Sequence, residues 1–256
     1  MEALLALSTI GQEALWQGFV VFLRVGAMMA LLPAFGEQSV PKQIKLGLGF
    51  AFTAIIAPAA PVPPTFETAP QMAGLMLAET LTGLFLGMML RLFVLALQVA
   101  GSIAAQSTSL SQLIGGAGVD PLPAIGHILV IGGLALATIM GLHVQFARFM
   151  LNSYTMVPLG NVIPADMLAQ SGIAEISRAF ALGFTLAAPF VIASLIYNVT
   201  LGVINKAMPQ LMVAFVGAPA ITAGGLILLM LAAPIMLSVW VDAMGAFIID
   251  PFGGPR

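Results

Sequence analysis

Residues 71–108 read QMAGLMLAETLTGLFLGMMLRLFVLALQVAGSIAAQST, and residues 124–158 read AIGHILVIGGLALATIMGLHVQFARFMLNSYTMVP. No proline interrupts either stretch before Pro158, so each is predicted to form one unbroken helix. From Met72 to Ala105 alone such a helix measures about 50 Å, against a hydrocarbon core about 30 Å thick. That is too long for an ordinary span. The two runs therefore read as an antiparallel hairpin with Ser107 to Pro123 at its tip. The tip holds Leu113-Ile114-Gly115-Gly116-Ala117-Gly118, an apolar and pliable segment rather than a polar turn.

Composition sets the class. Of 256 residues, 60% are apolar and 7% are charged, whereas soluble domains carry roughly 25% charged residues. The expected fold is an all-α integral membrane protein forming a single domain over 1–256. Apolar segments fall near 14–32, 46–60, 72–105, 124–154, 179–204 and 211–248. These give about six helices arranged as long hairpins, the C-terminal ones broken or kinked at Pro189, Pro219 and Pro234. The first basic residue is Arg24, so the basic start of a cleavable leader is missing and the first helix is expected to persist in the mature protein.

Most chemistries lack the residues they need. A net charge of −2 without a basic stripe carries no nucleic-acid signature, and zero cysteines exclude thiolate chemistry. The only two histidines, His127 and His143, share a predicted helix and point about 160° apart, so they cannot chelate one ion from it. No zinc-protease, nucleophile-elbow or phosphate-loop motif occurs, and Gly115 to Gly118 lacks the following lysine and hydroxyl residue. No catalytic residue, metal site or cofactor is expected, and the chain does not read as an enzyme.

What remains is charge placed in apolar helices. Arg24, Glu79, Arg91, Arg148 and Asp242 all fall in or at the ends of such segments, where a charge costs roughly 2.5–3.5 kcal/mol on insertion scales. Glu79 and Arg91 lie about 18 Å apart along one helix, so their partners must come from elsewhere. Glu79, Gly83, Gly87 and Arg91 recur every four residues, a smooth row on which another helix can close, within this chain or from another. Among the methionines, Met28-Met29, Met88-Met89 and Met230 suit apolar packing, and a minority could form a soft gasket.

Lys42 and Lys45 in the first loop and Lys206 in the fifth fall on one side of a six-span chain, which places those loops in the cytoplasm and both termini outside. The connection from Pro58 to Pro70 carries five prolines and suits a stiff extracytoplasmic link. Asn198 and Asn205 share a helix face, and Asn205, Lys206, Pro209 and Gln210 form a polar cytoplasmic hairpin tip.

Several motifs carry a family resemblance. Leu23-Arg24 precedes Pro33-Ala34-Phe35-Gly36 and the run from Val40 to Leu48. Then come Glu79, Gly83 and Gly87, Ala100-Gly101 with Gln106, Asn205-Lys206 with Pro209-Gln210, and Val216-Gly217 with Pro219. In order and spacing this resembles the FliR family, a subunit of the flagellar type III secretion export gate whose injectisome counterparts share the fold. It departs from the family in several places: Lys206 stands where the family commonly has arginine and Thr108 where it commonly has glycine, the glycines are displaced to 115–118, and Asp120-Pro121 comes later than the usual Asp-Pro.

The resemblance implies assembly with FliP, FliQ and FlhB in the bacterial inner membrane at the flagellar basal body, passing unfolded flagellar proteins. It also implies a FliP-like front over 1–160 and a FliQ-like back over 161–256. The central loop, about 106–121, would plug the closed channel through Gln106, Leu110, Leu113, Ile114, Gly115, Gly116 and Gly118. Glycine supplies backbone freedom and the leucines and isoleucine a dewetted seal; the plain alternative is a loose connector. A rival of another class is a small-solute secondary transporter, which also uses proline-broken helices and intramembrane charges.

Overall fold

The computed structural model describes residues 2–37, 39–64, 68–108, 124–208 and 213–252, and these contain helices and no strand. In order they are α1 (Glu2–Leu31), α2 (Lys42–Ile56), α3 (Ala69–Thr108), α4 (Ala124–Ile139), α5 (Leu142–Met156), α6 (Ala165–Ala207) and α7 (Val213–Ile249). One 3-10 turn, Ala57–Ala59, follows α2.

Helix α3 runs unbroken for 40 residues, about 60 Å. Its Pro70 stands in the first turn, where the missing N–H would have had no intrahelical acceptor in any case. Gly11–Leu31, Ala69–Ser107, Ala165–Ala207 and Pro219–Ile249 are each long and apolar enough to cross a membrane. Helices α4 and α5 supply a fifth crossing if counted as one broken span. The segment expected near 46–60 is α2, whose 15 residues reach only about 22 Å and fall short of a bilayer core.

Three boundaries differ from the sequence expectation. The run from Ala124 to Tyr154 is not one helix: it bends by 76° between α4 and α5, at Gly141 in a left-handed conformation with φ +82°. Helix α1 begins at Glu2 and α6 at Ala165, well before the apolar segments near 14 and 179. Hydropathy reports tolerance of lipid, not helicity. Asp166 in the first turn of α6 complements the helix dipole.

Packing divides the chain into two compact units, 1–92 with 141–174 and 246–256, and 93–140 with 175–245. Helices α3, α6 and α7 contribute to both. In the first, Val25, Met28, Leu32, Leu86, Phe146 and Phe149 are fully buried, and Phe35 meets Phe52 and Phe146 edge-on.

In the second unit α3 and α4 run antiparallel. A Cβ on Gly101 would come within 2.2 Å of the Gly126 Cα, and one on Gly133 within 2.7 Å of Leu97. The buried Trp240 indole donates to the Phe93 carbonyl at 2.7 Å, the partner that a buried indole N–H requires.

Candidate functional site

Two charged centres organise the first unit. At the inner one, Arg24 of α1 and Glu79 of α3 are both fully buried. The guanidinium Nε donates to Glu79 Oε2 at 2.8 Å and Nη2 to Oε1 at 3.0 Å, a bidentate fork. Its Nη1 donates to the carbonyls of Ser153 at 3.0 Å and Val157 at 2.9 Å. The Tyr154 ring lies 4.1 Å from the guanidinium carbon. Glu79 Oε1 also accepts the Gly160 N–H at 2.8 Å, and Gly160 reaches it through a left-handed turn at φ +81°.

Removing two charges from water costs several kcal/mol per ion, which only such complete pairing offsets. The cluster ties α1, α3, α5 and the 157–160 turn together. The Tyr154 hydroxyl, however, is buried without a hydrogen-bond partner.

The glycines of the four-residue row sit where α1 crosses α3. A Cβ on Gly83 would stand 2.2 Å from the Arg24 carbonyl oxygen, and one on Gly87 2.8 Å from that of Met28. Backbone meets backbone there, so nothing larger than hydrogen fits. Within this chain the row therefore receives α1.

The outer centre pairs Arg91, at the end of that row, with Glu37 beyond α1: Nη1 to Oε1 is 2.6 Å, with the side chains 24% and 19% exposed. Lys45 Nζ donates to the neighbouring Gly36 carbonyl at 2.9 Å. Lys42 and Lys45 thus stand in the first turn of α2 rather than in an open loop. Asn205 and Lys206 close α6, exposed, and Gln106 is exposed near the end of α3. Leu110, Leu113, Ile114, Gly115, Gly116, Gly118, Pro209 and Gln210 lie outside the described residues.

Some partners were not evident from the sequence. Glu37 stands out as the only acidic residue between Glu13 and Glu67, but nothing in the sequence pairs it with Arg91, 54 positions on. Glu175 and Arg178 pair at 2.9 Å on α6, a three-residue spacing of opposite charges that is a readable helix signal. Nothing in the sequence marks Ser153, Tyr154 or Gly160 as the shell of Arg24. His127 and His143 are both exposed, and among the described residues no cluster of acids or histidines could hold a metal ion.

The described helices and their apolar spans define an all-helical, multi-span membrane protein in which the buried Arg24–Glu79 pair joins helices α1 and α3. Comparison with known proteins makes this specific. The profile described as "Bacterial export proteins, family 1" matches residues 15–247. The flagellar biosynthetic protein FliR of Caulobacter vibrioides is 33% identical over 230 residues, 87% of this chain and 90% of that protein. The proteins of the same name from Escherichia coli and Bacillus subtilis are 27% and 24% identical, over 85% and 86% of this chain and 84% and 87% of their own lengths. The chain belongs to the FliR family of bacterial export proteins.

Proposed function

We propose that this chain is a membrane subunit of the flagellar protein-export gate, forming with FliP- and FliQ-like proteins a channel for unfolded flagellar subunits, with an FlhB-like protein beside it. The family match across residues 15–247, joined to relatives named for flagellar biosynthesis, carries this reading. Those relatives are named for biosynthesis rather than for a catalysed reaction, in keeping with a non-enzymatic role. The inner membrane at the flagellar basal body is the proposed location. Residues 1–160 would take a FliP-like place and 161–256 a FliQ-like one. The segment after Gln106, about 106–121, would close the resting channel, and the end of α6 at Asn205 and Lys206 would face its cytoplasmic entrance.

The test combines genetics with mass. Deleting the gene should abolish swimming and the secretion of hook and filament proteins, and the plasmid-borne chain should restore both. Native mass spectrometry of the tagged chain, gently extracted, should give one copy within a larger assembly of small membrane proteins. Unchanged secretion in the deletion strain would overturn the proposal. So would a monomer or symmetric homodimer that persists across mild detergents, the result a small-solute carrier would give.

A further inference from the structure

Between Leu77 and Leu92, helix α3 is covered on nearly every side. The well-exposed side chains there are Leu77, Leu81, Leu84 and Met88, at 61%, 45%, 37% and 52%. They advance by four, three and four residues, and a further step of three reaches Arg91. This alternation is the seam of a heptad repeat, the spacing at which one facing helix seats its side chains. The open strip is one residue wide and includes a cation, with Leu95, the next position in the same spacing, 42% exposed.

Arg91 decides what covers the strip. A guanidinium carries five N–H donors, and among the described residues its one partner is Glu37. Lipid chains offer no acceptor, so a guanidinium that is 24% exposed partway along an apolar helix needs water or protein for its remaining donors. Lys45 binds the carbonyl of Gly36, the residue before Glu37, so two cations and one carboxylate gather at this turn.

We infer that the seam from Leu77 to Arg91 seats one helix of another membrane subunit, apolar along its length and carrying a carboxylate opposite Arg91. The carboxylate fixes register, as a single polar seam position does in coiled coils, and the apolar steps provide contact. The inference rests on the export-gate reading for the presence of other subunits, and adds which face receives one of them and by what chemistry.

Photoreactive p-benzoylphenylalanine is placed singly at Leu77, Leu81, Leu84 and Met88 of the tagged full chain in its own cells, and adducts are identified by mass spectrometry. The expected adducts fall on one helix of one protein, stepping along it in order, with an aspartate or glutamate at the Arg91 level. Phospholipid adducts alone, or no adducts from a recovered complex, overturn the inference.

A charge swap separates Arg91's two roles. If Arg91 serves only Glu37, Arg91→Glu with Glu37→Arg restores the yield of complex to that of the parent, and the inference falls. The expected yield stays about tenfold below the parent, the scale of one lost interfacial charge contact. The unsubstituted chain's rescue of secretion is scored separately. Its failure would remove the export reading, whereas lipid-only adducts in a secreting strain would remove only the seam.

Discussion

Arg24 and Glu79, 55 positions apart in sequence, meet in a bidentate ion pair from which solvent is wholly excluded. Every nitrogen of the guanidinium has an acceptor, so the pair is stable only as a unit. Removing one partner strands a buried charge, at about 3–5 kcal/mol. Arg24→Met alone, or Glu79→Leu alone, should sharply reduce the recovery and thermal stability of the extracted protein. The double variant should recover much of the loss, because no charge is left behind. Additive losses in a double-mutant cycle would contradict coupling between the two.

Tyr154 yields the opposite sign. Its ring stacks on Arg24 while its hydroxyl is buried without a partner, a penalty of about 1–3 kcal/mol. Tyr154→Phe keeps the ring and discards the penalty. The thermal midpoint of the extracted protein should rise, whereas Tyr154→Ala should lower it by removing the ring as well. A fall with phenylalanine would show that the hydroxyl does have a partner.

Two glycines of α3 should respond in opposite directions to alanine. At Gly83 a Cβ collides with the Arg24 carbonyl oxygen at 2.2 Å and meets the Ala27 Cβ at 3.0 Å, so the helices must separate, at about 1–3 kcal/mol. At Gly74 a Cβ meets nothing within 4 Å, and the gain in helix propensity is about 1 kcal/mol. Gly83→Ala should lower the thermal midpoint and Gly83→Leu should abolish recovery, while Gly74→Ala should raise the midpoint. Equal responses at the two sites would refute close approach as the reason for Gly83.

How much of this was legible depends on what each signal measures. The length of α3 follows from a proline-free apolar run, and it forms as one helix. That Glu79 and Arg91 need partners on other segments follows from helix geometry. Which residues answer them does not, because Glu37 is separated from Arg91 by 54 positions and only the fold brings them together. The starts of α1 and α6 escaped because their polar residues lower hydropathy without disfavouring helix. The bend after α4 escaped because Gly132 and Gly133 lie within α4 and look no different in sequence from Gly141. Only the positive φ of Gly141 tells them apart.

That φ makes Gly141 a test of the bend. A Cβ there meets nothing within 4 Å, so steric crowding plays no part and the cost of Gly141→Ala is that of holding alanine at φ +82°, about 1–2 kcal/mol. Gly141→Asn should cost less, since asparagine tolerates the left-handed region. The order glycine, asparagine, alanine in thermal midpoint is the expected outcome. If alanine matched glycine, the chain would be straightening through 139–142 and the 76° bend would not be a fixed feature of the fold.

The proposed channel role makes the last prediction. Residues 112–118 combine leucine and isoleucine with three glycines, which suits a dry but deformable seal. Removing them should leave the described helices, α3 through Thr108 and α4 from Ala124, and the assembly intact. The expected phenotype is a leak: cells carrying the full gate with Gln112–Gly118 deleted should show raised ion conductance and slowed growth, at unchanged recovery of the complex. Normal conductance with normal secretion would assign the segment a connector's role and leave the resting seal to be sought in another subunit. Because recovery and conductance are read from the same cells, a failure to assemble cannot be mistaken for a closed gate.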